Sequence, residues 1–225
     1  MASLAIEIDV VIPVLGDDEA LARLLPVMAQ MNLSPIVVDG AASAATAQVV
    51  ADKGTYIASK PGRGAQIAAG IAAGSAPWVW VLHADTQPSA ECLAYLAALQ
   101  HDADLAWGRF DVSVPGLTVI GWFMNLRSRL TKICTGDQAM FFARPLLEHI
   151  GGFPAYPLME DIEVSRQLKH AHGSVFHAPR VRVGASERRW RRHGIVTTVL
   201  FMWWMRLRFF CGASPEILYQ RYYGK

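Results

Sequence analysis

The sequence has few cysteines and lacks the features of a secreted or disulfide-bonded protein. Its three cysteines, Cys92, Cys134 and Cys211, are odd in number and far apart. This pattern argues against both a disulfide framework and a zinc site, and it fits a reducing cytoplasm. The first residues contain no basic segment before an apolar stretch, so we expect no signal peptide. Repeats and low-complexity tracts are also lacking, and we therefore expect a cytoplasmic globular protein.

The chain has little net charge, but its charges are unevenly distributed. The formal net charge is +2, with 4 basic and 9 acidic residues in positions 1–100, and 17 basic and 10 acidic residues in positions 101–225. This division suits a metal site that faces a phosphate-binding or membrane-facing surface. With 225 residues, of which 52% are hydrophobic, the chain can form one large α/β domain or two small ones.

Apolar segments in the first half alternate with segments of helical periodicity. Strands are predicted at residues 6–14, 35–40, 55–58 and 78–82, and helices are predicted between them. This alternation is typical of an α/β fold with a doubly wound, mostly parallel sheet. Ligands of such sheets bind outside the carboxyl ends of the strands. Asp39 and Asp85, which follow two of these strands, are therefore expected at one edge of the sheet.

The residues at this edge predict a nucleotide site. Asp85 could hold a divalent metal that binds a diphosphate, or it could only shape the turn before the next helix. Asp39 could accept hydrogen bonds from a ribose or a base. The loop at residues 60–64 carries Arg63 between two glycines, which could let a phosphate approach the backbone or could merely cap turns.

Motifs that cover nearly the whole chain carry a family resemblance. They lie at residues 9–14, 37–40, 62–66, 82–86, 107–110, 135–141, 151–153, 157–163 and 188–194. Together they resemble family 2 glycosyltransferases of the GT-A fold, and most closely the radical SAM/selenodomain-associated subgroup. The resemblance implies an inverting glycosyltransferase that moves a sugar from a nucleotide-diphospho-sugar to an acceptor hydroxyl with the help of Mg²⁺ or Mn²⁺.

The resemblance also implies roles for individual residues. Asp161 is the expected general base, with Glu160 and Asp137 as helpers, and Asp85 is the expected metal ligand. The residues expected to contact the nucleotide-sugar are Pro13, Val14, Asp39, Gly62, Arg63, Gln66, His83, Ala84, Asp85, Arg109 and Trp190. From their positions alone, Asp137 could instead close a turn, and Glu160 and Asp161 could only cap a helix.

The sequence departs from the family pattern at three places. The usual metal motif is Asp-x-Asp, but His83 replaces its first member; His83 is therefore a metal ligand, a donor to the diphosphate or a packed histidine. The loop at residues 41–46 lacks a second acid. The arginine cluster at residues 188–192 lacks the glutamine of processive enzymes, so no polymerase role is expected. These departures keep two alternatives open: a nucleotide-sugar-binding module without turnover, and a nucleotidyltransferase of the same fold.

The last part of the chain is expected to form a separate helical extension. Residues 1–194 are predicted to be the GT-A domain, with a nucleotide-sugar half at about 1–100 and an acceptor half at about 101–194, and residues 195–225 the extension. The apolar run at residues 195–205 is shorter than the roughly 20 residues that span a bilayer, and Arg206 and Arg208 follow it.

Three arrangements of this extension stay open: packing on the domain, packing in a homodimer, or lying on a membrane. Tryptophans beside arginines favour peripheral association with an anionic membrane, at the inner face of the cell membrane. A lipid-linked acceptor would explain such a surface. Because the chain has no nucleic-acid motif, we expect the cluster at residues 188–192 to meet pyrophosphate or anionic lipid.

Overall fold

The computed structural model describes residues 6–103, 105–186 and 194–224. Its strands are β1 (Ile8–Val14), β2 (Ile36–Asp39), β3 (Thr55–Ala58), β4 (Trp78–Val81), β5 (Trp107–Gly108), β6 (Asp111–Ser113), β7 (Phe141–Ala143), β8 (Phe176–His177) and β9 (Arg182–Gly184). Its helices are α1 (Asp18–Gln30), α2 (Ala44–Val50), α3 (Arg63–Ala73), α4 (Ala90–Asp102), α5 (Thr118–Thr131), α6 (Arg144–His149), α7 (Glu160–His172), α8 (Ile195–Phe210) and α9 (Pro215–Tyr223). Single 3₁₀ turns lie at Ala51–Lys53, Gly136–Gln138 and Gly173–Val175.

Seven strands form one mixed sheet in the order β3-β2-β1-β4-β7-β5-β8. Strand β7 is antiparallel to both of its neighbours, β4 and β5, and all other pairs in the sheet are parallel. Strands β2 and β4 are buried at every position, as expected for strands with helices on both faces. The predicted α/β fold with a mostly parallel mixed sheet is confirmed.

The apolar segment at residues 105–112 has the pattern of one strand, but it forms two short strands. Its first part, β5, pairs in the main sheet, whereas β6 pairs with β9 in a separate two-stranded parallel sheet. Between them, Arg109 turns its guanidinium inwards to Asp111 and to the carbonyl oxygen of Asn125 in α5. A buried guanidinium needs such partners, and the change of sheet supplies them.

Helix α3 lies unusually close to the sheet because it presents a glycine there. A Cβ atom on Gly70 would lie 2.5 Å from Cγ1 of Val11 and 3.0 Å from Cγ2 of Val38. A larger residue would push α3 away from β1 and β2, since packed interiors leave no room for an added methyl group. The close contact fixes the position of Arg63, the first residue of α3.

The last two helices pack on a small apolar core of their own. Leu158, Met159 and Ile162, around the start of α7, form this core with Met205 of α8 and Leu218 of α9. It is a different cluster from the large core under the seven-stranded sheet. Among the described residues, no helix is long and apolar enough to cross a membrane.

Candidate active site

A cavity of about 780 Å³ opens at the carboxyl ends of β1 and β4. One side, here called the sheet wall, comes from the ends of these strands and the start of α3. The opposite side, here called the helical wall, comes from α5, α8 and α9. The helical wall contains Ile120, Phe123, Met124, Arg127, Thr198, Val199, Met202, Trp203, Arg206, Tyr219, Tyr222 and Tyr223.

The cavity brings together most of the residues that the sequence singled out. Those that line it are Pro13, Val14, Gly62, Arg63, Gln66, His83, Ala84, Asp85 and Asp137. Asp39, Arg109, Glu160 and Asp161 do not line it. Trp190 and the rest of the cluster at residues 188–193 lie outside the described residues.

Gln66 joins the start of α3 to the edge of the sheet. Its side-chain amide donates hydrogen bonds to the carbonyl oxygens of Val14, at 2.7 Å, and Val38, at 2.8 Å. These carbonyls end β1 and β2. The amide therefore bridges the carboxyl ends of the two neighbouring strands, and it holds the sheet wall together.

Asp39 is fully buried and organises the loop after β2. Its carboxylate accepts hydrogen bonds from the backbone N–H groups of Ala41, at 2.8 Å, and Ser43, at 2.7 Å, and from the hydroxyl of Tyr56, at 3.3 Å. Ser43 in turn accepts N–H groups at the start of α2. In this structure the carboxylate holds the loop in place through these hydrogen bonds. A contact to a nucleoside would use one of its remaining lone pairs.

Arg63 forms an ion pair with Glu160 at the start of α7. The Glu160 side chain is 1% exposed and that of Arg63 is 27% exposed. Although burial lowers the pKa of Arg63, the charges of Glu160 and Asp161 raise it above its ordinary value. The guanidinium thus reaches the cavity already protonated, oriented and largely neutralised by a buried carboxylate.

His83 faces the turn Gly136–Gln138. Its Nδ1 atom lies 3.4 Å from a carboxylate oxygen of Asp137. Its Nε2 atom is buried without a hydrogen-bond partner among the described residues, and a Cβ atom on Gly136 would collide with it. Burial lowers the pKa of His83, but the hydrogen bond and charge of Asp137 and the charge of Asp85 raise it above its ordinary value. This orientation favours a histidine that positions the turn over one that binds a metal.

Asp161 links α7 to the same turn. One carboxylate oxygen accepts the backbone N–H of Gly136 at 2.9 Å, and the other accepts the N–H of Ile162 at 2.8 Å. Both contacts place negative charge at a helix start, where free N–H groups stabilise it. Asp161 therefore stands behind the turn that carries Asp137, while Asp137 itself is exposed and lines the cavity.

Arg109 has a structural position away from the cavity. It is fully buried, pairs with Asp111 and donates to the carbonyl oxygen of Asn125 at 2.9 Å. Asn125 also bonds the backbone of Val112 in both directions. These contacts attach β6 to α5, and so Arg109 supports the helical wall from behind.

Asp85 fits a metal that takes few ligands from the protein. Within residues 6–103, 105–186 and 194–224, no group of three or more His, Cys, Asp or Glu side chains could hold a metal ion. Mg²⁺ is usually bound by one or two carboxylates together with substrate phosphates and water, rather than by a complete protein cage. A carboxylate at the edge of the sheet, on the wall of a cavity large enough for a nucleotide-sugar, suits that mode.

Sequence reasoning missed the charged residues of the helical wall. Helical periodicity alone predicts a solvated face for Arg127, yet this residue lines the cavity together with Arg206 of α8. The signal available in the sequence was an arginine that interrupts the apolar run of α8. An apolar helix tolerates such a charge where it faces a cavity that can hold a charged ligand.

The chain matches a known family over most of its length. Residues 9–152 match the sequence profile of Glycosyl transferase family 2. The chain belongs to this family. No curated protein sequence matches the chain.

Solved structures of glycosyltransferases share its fold. S. aureus TarS 1–349 in complex with UDP-GlcNAc is 16% identical over 80% of this chain and 58% of that chain, with a TM-score of 0.64. Mannosyltransferase PcManGT from Pyrobaculum calidifontis in complex with GDP-Man and Mn²⁺ is 18% identical over 79% of this chain and 56% of that chain, with a TM-score of 0.60. The chain thus spans little more than half the length of these two proteins, and the expected GT-A fold is confirmed.

Proposed function

We propose that this family 2 member is an inverting glycosyltransferase that moves a sugar from a nucleotide-diphospho-sugar to an acceptor hydroxyl. The observation that carries the proposal is the cavity at the strand ends, which brings together Arg63, Asp85 and Asp137. Structures of the same fold in complex with UDP-GlcNAc and with GDP-Man and Mn²⁺ support a nucleotide-sugar as donor. The closer assignment, to the radical SAM/selenodomain-associated subgroup, rests on the sequence motifs.

The sheet wall is proposed to bind the donor. Asp85 would hold Mg²⁺ or Mn²⁺, which neutralises charge on the departing nucleoside diphosphate. Arg63 adds a fixed cation whose position Glu160 secures. Pro13, Val14, Gly62, Gln66 and Ala84 form the rest of this wall. Behind it, Asp39 orders the loop that the nucleoside would contact.

The proposed chemistry is a single displacement. The acceptor oxygen forms a bond to the anomeric carbon as the bond from that carbon to the diphosphate oxygen breaks, and the hydroxyl proton passes to a carboxylate. We assign this proton to Asp161, with Asp137 and Glu160 as helpers. Asp137 is the alternative acceptor because it lines the cavity, whereas Asp161 reaches the turn from behind.

Donor hydrolysis and nucleoside diphosphate binding test the proposal. The protein is expected to release nucleoside diphosphate slowly from a panel of nucleotide-sugars, and only with Mg²⁺ or Mn²⁺. Asp85→Ala should lose the metal-dependent part of nucleoside diphosphate binding, measured by calorimetry. Asp52→Ala is the matched control, because Asp52 is an exposed carboxylate in the turn Ala51–Lys53. Retained metal-dependent binding in Asp85→Ala would remove the metal assignment.

A binding module without turnover is the second candidate. It is favoured by His83, which replaces a carboxylate of the family's metal motif and points its nitrogens at the turn Gly136–Gln138. In the same assay, nucleotide-sugar binding without release of nucleoside diphosphate would support this candidate against the enzyme.

The outer face of the helical wall supports a lipid-linked acceptor and peripheral membrane association. Helices α5 and α8 expose many large apolar side chains, namely Val119, Trp122, Phe123, Leu130, Val196, Leu200, Trp203 and Leu207. Arg208 and Arg221 lie over the ring of Trp204, with 5.7 and 5.4 Å from the guanidinium carbon to the ring centre. Apolar and tryptophan side chains beside cations suit an anionic bilayer surface. We accordingly treat residues 195–225 as an extension of the catalytic domain at residues 1–194.

A further inference from the structure

Two arginines of the helical wall have buried nitrogens without partners. Arg127 comes from α5 and Arg206 from α8, and both line the cavity. Nη2 of Arg127 and Nε of Arg206 are buried and have no hydrogen-bond partner among the described residues. Neither guanidinium forms an ion pair with a carboxylate in the part of the chain that the structure describes. Buried N–H donors normally have a hydrogen-bond acceptor. Two buried donors without one in the same cavity therefore indicate a ligand that would accept from them.

The electrostatics of the pair favour an anion. Burial and the neighbouring charge of Arg206 lower the pKa of Arg127 to about 10, and burial also lowers that of Arg206. Two protonated guanidinium groups that repel each other would both be stabilised by one anion between them. Arg63 on the sheet wall does not have this need, because Glu160 already pairs with it.

The position of the pair associates it with the acceptor. The charge of Asp161 acts on both arginines, and the charge of Asp137 acts on Arg206. These are the carboxylates to which we assign the proton of the acceptor hydroxyl. The pair thus belongs to the same side of the cavity as the proposed base, and it comes from the wall opposite to the strand ends that bind the donor.

Much of the wall around the pair is apolar. Ile120, Phe123 and Met124 of α5, and Val199, Met202 and Trp203 of α8, line the same wall. Apolar side chains around a cationic pair match a ligand with an apolar body and an anionic group. Arginine binds phosphate through two parallel hydrogen bonds, which makes phosphate the best match for the anionic group.

We propose that Arg127 and Arg206 bind the phosphate of an amphiphilic acceptor whose apolar body lies along α5 and α8. This inference rests on the proposed glycosyl transfer and names its acceptor class. It makes the two arginines specificity residues of the helical wall. It also predicts that the phosphate and the acceptor hydroxyl belong to one molecule that enters from the exposed apolar side of the protein.

Calorimetry with octyl phosphate, below its micellar concentration, tests the proposal on the full chain. Arg127→Gln and Arg206→Gln should each weaken its binding by about tenfold or more, since hydrogen bonds to charged groups are the stronger ones. Arg23→Gln is the matched control; it removes the same charge from an exposed position on α1, outside the cavity, and should bind like the wild type. Inorganic phosphate and neutral octanol should both bind more weakly than octyl phosphate.

Lysine variants separate loss of binding from loss of folding. Arg127→Lys and Arg206→Lys keep the charge but lose the planar fork, so we expect them to fold and to retain part of the affinity for octyl phosphate. Wild-type affinity in both glutamine variants would overturn the proposal. So would inorganic phosphate that binds as tightly as octyl phosphate, because the apolar lining would then contribute nothing.

A parallel titration with UDP distinguishes this proposal from the proposed function. If the glutamine variants lose affinity for UDP as much as for octyl phosphate, the arginines serve the donor diphosphate and the inference is overturned. If the wild type binds octyl phosphate through the arginines but binds no nucleoside diphosphate, the site for an amphiphilic phosphate is supported and the proposed glycosyl transfer is wrong.

Discussion

The ion pair between Arg63 and Glu160 connects the sheet wall of the cavity to α7, and Glu160→Gln tests its importance. The substitution leaves the arginine without its carboxylate, and the Glu160 site is almost completely buried. Removing one partner of a buried pair costs about 3–5 kcal/mol of unfolding free energy, and we expect the lower end because Arg63 is 27% exposed. For a protein of this size, about 3 kcal/mol corresponds to a fall in Tm of roughly 6–12 °C.

Urea unfolding followed by circular dichroism measures this loss. Glu163→Gln is the matched control on the same helix; Glu163 is also buried, but its partner Arg166 is 58% exposed, so water can solvate the arginine left behind and the cost should be smaller than at Glu160. The double variant Arg63→Met/Glu160→Gln should lose less stability than the sum of the two single variants, because it leaves no buried charge without a partner. A loss in Glu160→Gln no larger than in the control would refute the reasoning.

Three further predictions concern the carboxylates and the exposed helices. Asp161→Asn should lower kcat by about 10²–10⁴-fold while calorimetry still detects donor binding, and an unchanged kcat would transfer the role to Asp137. Because the folded-state pKa of His83 is raised, its contribution to stability is present below about pH 6.5 and is lost as pH rises through the folded value. Asp137→Asn should remove that loss and lower the pKa of His83 in an NMR titration; an unchanged pKa would contradict the contact. In liposome flotation at low salt, the protein should float with anionic but not with neutral vesicles; protein that stays unbound, or that forms a dimer instead, would remove the membrane assignment.

The first half of the fold follows from local sequence patterns. Residues 78–81 are apolar, β-favouring and bounded by polar turns. Both faces of such a strand are buried when helices cover the two sides of the sheet. Once the sheet is parallel, the position of Asp85 at its edge follows from topology alone. For this reason, the sheet wall of the cavity could be predicted before its geometry was known.

The helical wall could not be predicted in this way, because it depends on contacts between distant parts of the chain. Helical periodicity shows Arg127 on a basic face, which most often means a solvated face. Its place in the cavity wall depends on α8, which begins some 70 residues later, supplies Arg206 to the same wall and packs against the start of α7 through Met205. Arg109 illustrates the same limit: its partner Asp111 is two residues away, yet only the break between β5 and β6 buries both.

The separation of the two apolar cores has a consequence for how the proposed acceptor preference can evolve. Substitutions in α8 and α9 alter the small core around Met205 and Leu218, and they leave the core under the seven-stranded sheet intact. The sequences of the two helices can therefore diverge and change the shape of the helical wall, while the strand ends keep their arrangement. Relatives with the same sheet and different final helices should consequently share a donor class and differ in what they glycosylate.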